Sequence, residues 1–168
     1  MIRYLVATCF PAVLVLLQMT VFSRMSVGSA APELVLLSVV AWSLVRGPAE
    51  GMFWGFAGGL LYDLASGNPI GVSALSMLAV AAVAGLLAGW IFGSNPLLPI
   101  LAMCIATMVY FIINGFLLAT LHYPTDWQAL MIDVAAPTAI ANGVLALILY
   151  PIFGFVATRT SGQVRVEV

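Results

Sequence analysis

Charge is almost absent from this chain, and what there is sits between or at the edges of long apolar runs. The 168 residues carry five arginines, no lysine and six acids, while 64% are hydrophobic. A soluble domain of this size needs a charged surface. This chain would expose hydrocarbon almost everywhere, so its solvent is lipid. Its length suits one domain with no soluble module beside the membrane part. There is no basic tract for nucleic acid.

A bilayer core about 30 Å thick needs about 20 helical residues. The segments 4–22, 74–92, 97–121 and 134–157 meet that length. The stretch from Pro32 to Leu64 is broken by Arg46-Gly47-Pro48-Ala49-Glu50. Two charges, a glycine and a proline suited to a helix start do not belong in hydrocarbon. The stretch therefore divides into spans 32–45 and 48–64, giving six spans; a re-entrant hairpin there would give four and leave both termini on one side. The first apolar run is longer than a signal-peptide core of about 7–15 residues, and a proline follows Ser29-Ala30-Ala31, so it reads as a retained span. In the six-span arrangement Arg3, Arg46, Arg159 and Arg165 share one side and Arg24 takes the other, which predicts cytoplasmic termini. Trp42, Trp90 and Trp127 fall near span ends, where indole favours the interface.

Helices in lipid associate by close contact, so small residues mark their packing faces. Gly51, Gly55 and Gly59, with Gly58 alongside, form such a stripe. So do Ala81, Gly85 and Gly89, and Ala135, Ala139 and Gly143. These predict a compact bundle with the third, fourth and sixth spans inside. Pro32 and Pro48 suit helix starts, whereas Pro11 and Pro151 kink their spans. Asn114 and Asn142 are polar groups within spans that seek partners on other helices.

No constellation for catalysis is visible. His122 is the only histidine and has one aspartate, Asp126, nearby, short of an ordinary metal ligand set. Cys9 and Cys104 lie in apolar helices without CxxC spacing and read as small buried hydrophobes. The glycines of Gly51-Met52-Phe53-Trp54-Gly55 follow no strand and carry no phosphate-binding lysine. The sequence thus predicts no enzyme, metal or cofactor. Glu33, in the first turn after Pro32, is explained by capping. Asp63 has two readings. It closes the third helix beside Ser66-Gly67-Asn68-Pro69, where its carboxylate can accept turn amides and an asparagine would serve nearly as well. Alternatively it faces a cation on a partner, because a helix C-terminus disfavours an anion.

Residues 31–75 bring these features together in order: Ala31-Pro32-Glu33-Leu34, then Val45-Arg46-Gly47, then Gly55-Phe56-Ala57-Gly58-Gly59-Leu60-Leu61-Tyr62-Asp63, then Ser66-Gly67-Asn68-Pro69-Ile70-Gly71. The pattern resembles the MreD family of bacterial rod-shape-determining membrane proteins. The resemblance implies a non-enzymatic multi-pass scaffold of the cytoplasmic membrane in the cell-elongation and peptidoglycan-synthesis machinery. It implies work with the bitopic protein MreC, the glycosyltransferase RodA, a class B penicillin-binding protein and the actin-like MreB. It also implies an all-α bundle similar to the substrate-binding subunits of energy-coupling-factor importers. A small-molecule importer subunit is therefore the rival function, although the scarcity of polar groups in the outer half weighs against a solute pocket. Gly55, Gly58, Gly59, Asp63, Gly67, Pro69 and Gly71 are the candidate packing or partner-facing residues.

Overall fold

A computed structural model describes residues 13–20, 32–91 and 97–160, and those residues contain helices and no strand. Cys9, Pro11, Arg3, Arg24, Arg165 and the Ser29–Ala31 segment lie outside the described residues, as does most of the predicted first span. Residues 13–20 form α1. α2 (Leu34–Arg46), α3 (Pro48–Ser66), α4 (Val72–Ile91) and α5 (Leu97–Thr120) follow. The last long helix comprises α6 (Trp127–Ala129), a π-helical stretch (Leu130–Ala135) and α7 (Ala136–Thr160).

Local chemistry sets these boundaries. α2 stops at Gly47, whose N–H donates to the Ser43 carbonyl at 2.9 Å, and α3 restarts with Pro48 in its first turn, a position where the missing N–H costs nothing. α3 ends at Gly67, which has φ 74° and donates to the Asp63 carbonyl at 3.1 Å. That left-handed cap is where glycine is cheapest. The last helix begins at Trp127, earlier than the predicted 134. Asp126 starts it, its Oδ1 accepting the N–H groups of Gln128 at 3.0 Å and Ala129 at 3.1 Å. The π stretch precedes Pro137. A proline ring collides with the carbonyl four residues back in an α-helix, and a wider turn relieves that contact.

α3 and α4 form one close antiparallel pair, and α5 and α7 form another. α2 lies between the pairs, with every residue from Leu34 to Leu44 buried. The prediction that the small-residue spans would be innermost is corrected here: α2 is the enclosed helix. Its surface is apolar on every side, as a fully surrounded helix requires. Its two serines are satisfied at backbone carbonyls, Ser38 at Val35 and Ser43 at Ala81. The small residues do a different job, letting α3 and α4 touch backbone to backbone. A Cβ on Gly59 would meet the Ala74 Cα at 2.5 Å, and one on Gly55 would meet the Met77 carbonyl oxygen at 2.8 Å. Gly85 is pressed in the same way on Pro48, and Gly51 on Ser43 of α2.

Trp42 also departs from expectation. It is buried and stacked on Trp54, with ring centroids 4.6 Å apart, and the Arg46 guanidinium lies 5.4 Å from its ring centre. Its place near a helix end is a packing position inside the bundle. Outward-facing residues are mostly aliphatic, among them Leu86, Ile105, Ile140 and Ile148. The stretches Leu98–Thr120 and Trp127–Leu149 are long and apolar enough to cross a membrane.

Candidate functional site

The candidate residues converge on the turn that joins α3 to α4. Asp63 is 1% exposed, and its carboxylate is spent inside the chain. Oδ2 accepts the N–H of Gly71 at 2.8 Å and of Ala74 at 3.3 Å, while Oδ1 accepts that of Ser73 at 3.1 Å. Those are the first-turn amides of α4, which have no partner within their own helix. Asp63 thus ends one helix and caps the start of the next. The unfavourable field of the α3 C-terminus is answered by the favourable N-terminus of α4. The rest of the turn supports this cap. Gly71 holds φ 101°, a conformation that favours glycine, and points its N–H at the carboxylate. The Pro69 carbonyl accepts from Val72 N–H at 3.3 Å. Gly55 and Gly59 face α4, and Gly58 is buried beside them.

A second polar cluster surrounds the N-terminus of α2, and sequence reasoning missed it. The prediction that Glu33 serves as a simple cap is corrected: its side chain makes no cap hydrogen bond. Instead Oε2 accepts from Gln18 Nε2 at 2.6 Å, and Oε1 accepts from the Tyr62 hydroxyl at 3.2 Å. The capping is done by other helices. Gln18 Oε1 accepts from Val35 N–H at 3.1 Å, and Asn142 Oδ1 accepts from Glu33 N–H at 3.0 Å. Asn142 Nδ2 in turn donates to Thr107 Oγ1 at 3.1 Å. Residues of α1, the start of α2, α3, α5 and α7 therefore meet in one network. The signal that could have exposed it is a glutamine, an acid and an asparagine inside spans of an otherwise hydrocarbon chain. Asn142 joins helices as expected; Asn114 is half-buried and stands apart from the cluster.

The remaining candidates lie elsewhere. His122 is exposed in the α5–α6 loop with φ 64°. Cys104 donates to the Ala139 carbonyl at 3.3 Å and packs where a side chain on Gly143 would have to sit. Among the described residues no group of three or more His, Cys, Asp or Glu is placed to hold a metal ion. A cavity of about 210 Å³ between α4 and α5 is lined by aliphatic side chains, including Val80, Ala84, Leu101 and Ala106.

A bundle whose described residues form helices and no strand, with two apolar helices long enough to cross a membrane, has the character of a membrane-associated protein. Residues 1–158 match the family model for the rod shape-determining protein MreD, and the chain belongs to that family. No curated protein and no solved structure matches it.

Proposed function

We propose that this protein is a multi-pass scaffold of the bacterial cell-elongation machinery, with both termini in the cytoplasm and no enzymatic activity of its own. The family match over residues 1–158 carries this reading, because the family is defined by rod-shape determination. Its partners are MreC, RodA and a class B penicillin-binding protein, with MreB beneath the membrane. The arginine distribution supports the orientation. Gln18, Asp63 and Asn142 suit a scaffold, because their side chains are engaged in bonds to other helices of this chain.

The bundle resembles, on this proposal, the substrate-binding subunits of energy-coupling-factor importers. An importer role needs convergent polar groups left available to a solute. Asp63, Asn142 and Gln18 instead bond to backbone amides of the protein itself. Affinity purification in detergent with mass spectrometry tests the choice. Co-purification of MreC or a penicillin-binding protein supports the scaffold. Capture of an ATPase module without them refutes it.

A further inference from the structure

We propose that the seam between α4 and α5 is a lipid site, taking one hydrocarbon tail of a bilayer lipid. The seam arises because each helix is held hard from its other side. α4 is pressed on α3, with Gly55 against the Met77 carbonyl, Gly59 against Ala74 and Gly85 against Pro48. α5 is fastened to α7, where Asn142 Nδ2 donates to Thr107 Oγ1 at 3.1 Å and Cys104 Sγ donates to the Ala139 carbonyl at 3.3 Å. One polar bond ties the two pairs near the start of α4, from the Tyr110 hydroxyl to Ser73 Oγ at 3.4 Å. Toward the C-terminus of α4, the cavity of about 210 Å³ separates them.

Small side chains leave this space. Val80, Ala84 and Ala106 form its floor and are buried. Val83, Leu87, Leu101 and Ile105 form its rim and are about half exposed. The cleft therefore opens through aliphatic side chains of the kind that face hydrocarbon over the rest of the bundle. Its lining falls between residues 80 and 87 of α4 and between 98 and 109 of α5, so it runs about 11 Å along one helix and about 17 Å along the other. The space is long and narrow.

Polarity and size select the occupant. Every lining side chain is aliphatic, so a water there finds none of the polar partners that hold buried water. A partner helix is too thick: one turn, 10–12 Å across and 5.4 Å long, fills roughly 400–600 Å³. A flexible hydrocarbon chain fits, since an apolar cavity of about 150 Å³ already admits benzene and this one is larger. Left unfilled, the lining would forfeit its dispersion contacts on one side. A lipid tail is the one apolar chain present all along the rim. Tails are as apolar as leucine, so transfer from the bilayer supplies no hydrophobic gain. Retention comes from shape, because a groove touches a chain on several sides and a flat helix face touches it on one.

Nuclear Overhauser transfer tests this in lipid nanodiscs, with the full chain perdeuterated except at its alanine methyl groups. Ala84 and Ala106 are the reporters, because they line the floor and are too buried to meet lipids that merely surround the bundle. Cross-peaks from lipid methylenes to both methyls are expected, and they vanish when the lipid tails are deuterated. Ala102→Leu places a larger side chain in the same cavity. It is expected to weaken the cross-peaks several-fold while other alanine signals keep their positions. Absence of tail cross-peaks in the wild type overturns the proposal, whether water or a second copy of the chain fills the cleft instead. So does undiminished transfer in a folded Ala102→Leu protein.

Discussion

Replacing Asp63 by asparagine separates a cap inside the chain from a contact with a partner. The carboxylate now accepts three backbone N–H groups on two oxygens. Asparagine has one oxygen. Set toward Gly71 and Ala74, it turns its NH₂ toward the Ser73 N–H, so two donors face each other. One charge-assisted bond is lost, worth about 1.5–3 kcal/mol when buried. The favourable charge at the α4 N-terminus goes too, about 0.3–1 kcal/mol. The sum is about 2–4 kcal/mol, so the expectation that an amide would serve nearly as well is revised by the geometry. For a chain of this length that lowers the melting temperature by about 4–16 °C. Asp63→Ala, which leaves all three amides without an acceptor, is expected to cost more. Thermal unfolding in detergent reads both, beside capture of MreC at matched amounts of folded protein. Unchanged stability with lost capture would refute the reasoning and make Asp63 a partner-facing residue.

Three further outcomes are expected. Gly59→Leu and Gly55→Leu force α3 off α4 and abolish accumulation of folded protein, since even a Cβ overlaps backbone there; normal complementation by both would refute that packing. His122→Ala leaves rod-shape complementation unchanged, and a large loss with folded protein intact would reopen metal or enzymatic roles. Single cysteines at Gly162 and Thr125 should react with an impermeant maleimide from outside only at Thr125; labelling of position 162 in intact cells contradicts cytoplasmic termini.

What the sequence disclosed follows from what periodicity and turn chemistry encode. Arg46-Gly47-Pro48 announces a helix break by itself, and Ser66-Gly67-Asn68-Pro69 announces the turn at which Asp63 lies. Which helix is central is a different kind of fact. α2 carries no glycine stripe, and its burial depends on how α3, α4, α5 and α7 close around it. Asp63 was legible as a residue in need of compensation, but not the source, because that required knowing that α4 begins against its carboxylate. Glu33 misled for the same reason. Its position fits a cap, while its bonds to Gln18 and Tyr62 are visible only once α1 and α3 flank it.

The central helix also sets a timetable for biogenesis. α2 leaves the ribosome early, and Gln18 is already available to it. The side chain that accepts from Glu33 N–H belongs to Asn142, 109 residues later. At about 5–20 residues per second, that partner follows after roughly 5–20 seconds. Until then the first turn of α2 needs water or lipid headgroups, so the nascent helix must wait near the membrane surface. Its descent into the bundle is coupled to arrival of the last span, and chains truncated ahead of Asn142 should present an unsealed α2 to membrane proteases.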